Sequence, residues 1–168
     1  MALLALFGLV IVALCGCGES SLPETIPNFL TQDINGNTVT QEIFSKKDLT
    51  VVNVWSNTCD GCIEELPDLE KFSKALLDNV QMVGLVLEDN SDEDIAKTKE
   101  ICTTAGVSYP QLISKDTLKD ELGSKIHVTP TTFFVNKEGK IVGDTVTGNN
   151  GDTSKLKEKM EEALNGQN

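Results

Sequence analysis

The sequence of 168 residues contains no arginine: all 14 basic side chains are lysines, set against 26 acidic ones, for a formal net charge of −12. A surface this acidic cannot neutralise phosphate, which excludes a nucleic-acid binder. It equally excludes docking on anionic lipid by charge. Histidine is represented only by His127, which leaves few ligands for a zinc site. There is no internal repeat and no low-complexity tract. What is present is an ordinary hydrophobic fraction of 39%, too high for a disordered chain. At this length one domain with its own core is expected.

The longest apolar run is at the start. Residues 1–14 carry no charged side chain, but a spanning helix needs about 20 apolar residues. The run ends in small residues and turns polar at Glu19-Ser20-Ser21. That profile reads as the hydrophobic region of a signal peptide, although the usual positive start is missing. Leu14-Cys15-Gly16-Cys17 resembles the bacterial lipoprotein box. The resemblance implies that Cys17 begins the mature chain and carries acyl groups that hold it on the outer face of the cell membrane. The alternative is an ordinary cleaved signal, which leaves the protein periplasmic or secreted. The expected division is a signal peptide over 1–16, a tether over 17–26 and one domain over 27–168.

Within that domain, Phe29 to Thr31 and Thr38 to Thr40 flank Asn35-Gly36, a hairpin signal. Thr50 to Trp55 and Val80 to Leu87 are β-branched apolar runs, consistent with buried strands. Between them Ile63, Leu66, Leu69, Phe72, Leu76 and Leu77 fall on one helical face, with a kink expected at Pro67. Asp92 to Ala105 reads as a helix closed by Gly106. Thr131 to Asn136 and Lys140 to Thr147 are strands around Lys137-Glu138-Gly139, and Lys155 to Leu164 is a last helix. Alternating strands and helices predict an α/β fold: a mainly parallel sheet covered on both faces, with antiparallel strands at its end.

The chemistry lies in Cys59-Asp60-Gly61-Cys62. Between a buried strand and a helix, this spacing puts Cys59 at the helix cap and Cys62 in the first turn. Free N–H groups and the helix dipole there favour the thiolate of Cys59. The thiolate is the form that attacks a disulfide. Cys62, less exposed, can resolve the mixed disulfide. The competing readings are a structural disulfide and half of a zinc site. A disulfide across so short a loop adds little stability, and a zinc site needs two further ligands.

The segment from Val51 through Trp55, Cys59 and Cys62 to Pro67 resembles the active-site region of the TlpA/ResA-type thiol-disulfide oxidoreductases. These are membrane-tethered proteins of the thioredoxin fold. The resemblance runs from about Ile26 to Leu164 and implies a central mixed sheet flanked by helices, with an extra N-terminal β-hairpin. It implies a redox-active disulfide between Cys59 and Cys62, with no bound cofactor. Trp55 matches the aromatic position four residues before the nucleophile, and Thr129-Pro130 matches the loop that holds the thioredoxin cis-proline. On that correspondence Trp55, Thr129 and Pro130 contact the substrate, and the Thr129 backbone pairs with the substrate peptide as an added strand. The implied activity is disulfide exchange with exported proteins in the reducing direction, with apocytochrome c as a family precedent. A membrane electron donor would keep the protein reduced, and a monomer is expected.

Two polar positions refine that expectation. Thioredoxin has an aspartate six residues before the nucleophile, where this chain has Asn53; an amide cannot take up a proton. The relatives with asparagine there have a glutamate three residues after the second cysteine, matched by Glu65. One turn along the helix, Glu65 shares a face with Cys62. Glu65, its pKa raised by partial burial, is expected to exchange the Cys62 proton. The other reading is a solvated glutamate beside Glu64 and Asp68. Asp60 opposes thiolate formation by its charge and favours the helix by its interaction with the dipole.

The remaining candidates read as structural. Cys102 is expected in the core and His127 at the surface. Glu88 to Asp94 lacks the glycine and distal glutamate of a calcium loop, so a solvated loop with an Asp/Ser helix cap is expected. Among other functions, an oxidant that installs disulfides would use the same site. A copper-delivery protein of this fold would need three residues between the cysteines. A peroxidase would need an arginine and a proline seven residues before the nucleophile, where Val52 stands. A pure binding module would merely retain the disulfide.

Overall fold

The computed structural model describes residues 22–88, 91–148 and 151–166. The expected signal segment and Cys17 lie outside the described residues, as do Asp89 and Asn90. A small hairpin, β1 (Leu30–Gln32) and β2 (Thr38–Thr40), is followed by a short 3-10 turn over Gln41–Lys46. The main elements are β3 (Leu49–Trp55), α1 (Asp60–Lys74), β4 (Val80–Val86), α2 (Asp92–Ala105) and β5 (Gln111–Ile113). After a π-helical turn at Leu118–Leu122 come β6 (Thr131–Asn136), β7 (Ile141–Thr147) and α3 (Ser154–Asn165).

Five strands form one sheet in the order β5-β4-β3-β6-β7. β3 is buried along its whole length because both edges are taken, by β4 in parallel and by β6 antiparallel. The pairing of β4 with β5 is parallel and that of β6 with β7 antiparallel. Two pairings are parallel and two antiparallel, so the sheet is mixed as the resemblance implies, with the antiparallel strands at one end and a smaller parallel share than the alternation of elements suggests. The antiparallel pairings are both made by β6, which runs against β3 on one side and β7 on the other.

Alternate residues along a strand face opposite sides, and the two sides have different covers. Val52, Val54, Phe133 and Val135 pack with Ile26, Phe29, Phe44, Leu118 and Leu122, so the N-terminal segment and short turns roof this face. Leu49, Val51 and Phe134 pack with Leu69 and Phe72 of α1 and with Leu156 and Met160 of α3. Trp55 continues the second row, against Cys62 and Leu66. Asn53, on the same side of β3, thus lies in the row that α1 covers.

The turns follow their side chains. In the first hairpin Asp33 Oδ1 accepts from Asn35 N at 2.8 Å and Asn37 N at 2.9 Å, and Gly36 takes φ +87°, a conformation costly for residues with a Cβ. The strands sit one residue later than the sequence pattern predicts at β1. Helix α1 runs through Pro67 and ends at Lys74, where the Ala75 N–H returns to the carbonyls of Phe72 and Ser73. The predicted extension to Leu77 is not made; Leu77 is 59% exposed. Helix α2 begins as expected, with the Ser91 side chain accepting from Asp94 N at 3.1 Å, and ends at Gly106 in the left-handed region.

Candidate active site

Cys59 is the N-cap of α1, and its sulfur accepts from the Cys62 N–H at 3.3 Å. It is bonded to Cys62 in a disulfide, with the two Cα atoms 5.2 Å apart. Cys59 is half-buried and Cys62 is completely buried. This is the arrangement the strand–helix junction predicts: the helix N-terminus presents N–H groups and the positive end of its dipole to the outer sulfur. On the other side, the Thr129 carbonyl oxygen is 3.8 Å from Cys59 Sγ. Thr129 precedes Pro130 through a cis peptide bond. Sequence positions 59, 62, 129 and 130 are therefore brought together. His127 and Val128, next in the same loop, are exposed on a groove of about 480 Å³ that also includes Lys125 and Thr147.

Behind the cysteines, Glu65 is 3% exposed, so its burial is nearly complete rather than partial. Its Oε1 accepts from Asn53 Nδ2 at 3.4 Å, and the same nitrogen donates to Thr132 Oγ1 at 3.2 Å. Asn53 and Thr132 are directly opposed in the β3–β6 ladder, so their side chains rise on one face. Glu65 also lines a cleft of about 320 Å³ with Gly61, Glu64 and Asp68, which leads from the buried carboxyl towards solvent. The solvated-surface reading of Glu65 is excluded by this burial.

Trp55 requires a correction. Its side chain is 0% exposed, and its indole Nε1 donates to Gln111 Oε1 at 2.8 Å. It cannot touch a partner at the surface. It packs beneath α1 with Cys62 and Leu66, so it supports the cysteine helix from below.

Sequence reasoning missed the groups that fix the loop before Cys59. Glu88 Oε1 accepts from Ser56 Oγ at 2.6 Å and Asn57 N at 2.7 Å. The buried Asn57 donates from Nδ2 to Asp94 O at 3.2 Å and Thr98 Oγ1 at 3.1 Å, tying the loop to α2. The available signal was register. Trp55 pairs with Val86 in parallel, which sets residues 57 and 88 side by side just beyond the strands.

Cys102 is buried in the cluster that contains Cys62 and Trp55, and burial pushes its thiol up to about 11. Burial likewise pushes the nearby Tyr109 phenol well above its usual range. Among the described residues no group of three or more His, Cys, Asp or Glu side chains stands together to hold a metal ion. Nor is any helix among them long and apolar enough to cross a membrane.

The chain is similar to known proteins. The chain is 28% identical over 151 residues to the thiol-disulfide oxidoreductase ResA of Bacillus subtilis, covering 88% of this chain and 80% of that protein. It is 31% identical over 117 residues to the thiol:disulfide interchange protein DsbE of Haemophilus influenzae, covering 67% of this chain and 58% of that one. In three dimensions it is similar to the thioredoxin domain of a thiol-disulfide oxidoreductase from Bacteroides vulgatus, with TM-score 0.64 and 28% identity over 83% of this chain and 99% of that domain. The fold of StoA from Bacillus subtilis also matches, with TM-score 0.60 and 24% identity over 75% of this chain and 91% of that one. The fold is thus thioredoxin-like with an added N-terminal hairpin, and the Cys59–Cys62 pair is that of a protein thiol-disulfide oxidoreductase. With the Redoxin family's sequence pattern matched over residues 22–163, the chain belongs to the Redoxin family.

Proposed function

We propose that this oxidoreductase works outside the cytoplasm as a reductant of disulfides in other proteins. The observation that carries the reading is the unequal burial of the two sulfurs at one helix N-terminus, with a buried carboxyl behind them. In the reduced form the Cys59 thiolate attacks one sulfur of a partner disulfide. A Cys59–partner bond forms, the partner S–S bond breaks, and the partner's other sulfur leaves as a thiolate. Cys62 then gives its proton to Glu65 and its thiolate attacks Cys59. The Cys59–Cys62 bond forms as the Cys59–partner bond breaks, so two electrons pass to the partner. The N–H groups at the start of α1 stabilise the attacking Cys59 thiolate. Thr129, beside Cys59, offers its backbone for strand-like pairing with the partner chain, and Pro130 shapes that loop.

Placement outside the cytoplasm rests on residues 1–17 of the sequence, through either a lipid on Cys17 or a cleaved signal. Apocytochrome c remains the substrate class that the family precedent suggests, and a membrane dithiol carrier the electron donor.

A Cys62→Ser variant tests the reading. It should accumulate a mixed disulfide on Cys59 with an exported protein, identified by mass spectrometry, while Cys59→Ser traps nothing. The wild-type reduction potential should fall near those of reducing thioredoxins, about −270 mV. A value near −120 mV, typical of strongly oxidising partners, would establish the oxidant instead. Labelling with a radioactive fatty acid should mark the wild type and not Cys17→Ala.

A further inference from the structure

Asn53 is wholly buried, yet only one end of its amide is used. Nδ2 donates to both Glu65 Oε1 and Thr132 Oγ1, while Oδ1 has no partner among the described residues. As it stands, the amide offers its hydrogens to two oxygens, which suits a carboxylate at Glu65. A half-turn of the same amide suits the acid. Oδ1 then replaces Nδ2, accepts the O–H of protonated Glu65, and accepts the O–H of Thr132, whose hydroxyl donates as readily as it accepts. Neither orientation asks the amide to gain or lose a proton, and neither moves the backbone.

The geometry points to Asn53 and Thr132 as positioning residues for the proton of Cys62: the Asn53 amide turns over when Glu65 takes up the proton and turns back when Glu65 releases it. The inference rests on Glu65 as the proton carrier. A fixed donor at this position would hold Glu65 as carboxylate, and a fixed acceptor would hold it as acid. An amide that can present either end keeps a hydrogen bond to the buried carboxyl in both of its states, and a carboxyl left without one would carry the cost of an unsatisfied buried group. The proton balance is simple. The Cys62 thiol loses a proton to the Glu65 carboxylate, and Glu65 later passes it through its cleft to water or to the departing partner thiolate.

The test is single-turnover reduction of insulin by the reduced full chain over about pH 5 to 9. The variants are Asn53→Leu, Thr132→Val, Glu65→Gln and the Asn53→Leu/Glu65→Gln pair. Glu65→Gln should slow turnover and flatten the acid limb of the profile. Asn53→Leu should slow turnover about tenfold and move that limb to higher pH, because the carboxylate loses its donor. Thr132→Val should act in the same direction by about threefold. In the Glu65→Gln background Asn53→Leu should add little, since residues of one unit are not additive. A wild-type profile for Asn53→Leu, or an equal loss in both backgrounds, overturns the inference while leaving Glu65 as carrier. A wild-type profile for Glu65→Gln overturns both. Should Asn53→Leu not fold, the side-chain amide resonances of Asn53 in the wild type decide. They should shift with the titration of the Glu65 carboxyl carbon, and invariance through that titration overturns the inference.

Discussion

Glu70 grips Ser108 with both carboxylate oxygens: Oε2 accepts from the backbone N–H at 2.8 Å and Oε1 from the hydroxyl at 2.7 Å. Lys74 adds an ion pair at 2.8 Å. The contact fastens α1, two turns below the cysteines, to the strand-leading loop after α2. Burial alone would raise the Glu70 pKa, but the bonds from Lys74 and Ser108 outweigh it and hold the carboxyl below its ordinary value. A carboxylate whose folded pKa is depressed contributes stability above its unfolded pKa and loses it as pH falls through the folded one. Glu70→Gln should therefore cost about 1–3 kcal/mol near neutral pH. The gap between variant and wild type should narrow on acidification below about pH 4.5, as read from urea unfolding at a series of pH values. A gap independent of pH would show that Glu70 acts through shape alone.

Gly84 is required by a side chain rather than by its own dihedrals. A Cβ there would stand 1.9 Å from Gln111 Oε1, the atom that receives the Trp55 indole N–H. Gly84→Ala should displace Gln111, leave a buried donor unpaired and cost about 1–3 kcal/mol. The midpoint of denaturant unfolding should fall with an unchanged slope. A Gln111→Ala change made together with it should cost less than the sum of the two.

Cys102 should be chemically silent in the native protein. With its thiol near 11, roughly one molecule in a thousand carries the thiolate at about pH 8. Iodoacetamide applied to the reduced, folded chain should modify Cys59 and spare Cys102 until denaturant is added. Peptide mass mapping distinguishes the sites, and prompt native labelling of Cys102 would contradict its burial.

Glu88 holds the loop that precedes Cys59. Glu88→Ala releases Ser56 Oγ and Asn57 N together, which should cost about 1–3 kcal/mol. Insulin reduction should slow by several fold as the cysteine turn loosens. Glu88→Gln keeps an acceptor of the same shape and should recover most of the rate.

The reach of the sequence is clear from particular residues. The positions of Cys59 and Cys62 were legible because they depend on local facts: a β-branched run, a helix period and the spacing between them. The Ser91 cap and the Asn35-Gly36 turn were legible for the same reason. Trp55 was misread because its partners, Gln111 and Cys62, come from a strand and a helix whose registers are set by tertiary pairing. β5 escaped notice because three buried residues carry no period. Glu88 was placed in a solvated loop and Asn57 and Thr132 drew no reading, since nothing near them in the chain shows what will cover them. Their burial follows from which strands lie side by side, a long-range property.

The unequal exposure of the two sulfurs also gives any covalent complex an internal clock. A partner can collide only with Cys59, while the group that expels it, Cys62, is sealed at 0% exposure beneath the helix. Resolution by Cys62 then requires a motion within this chain, beside the leaving tendency of the partner thiol. Outside thiols have no direct access to Cys62 itself.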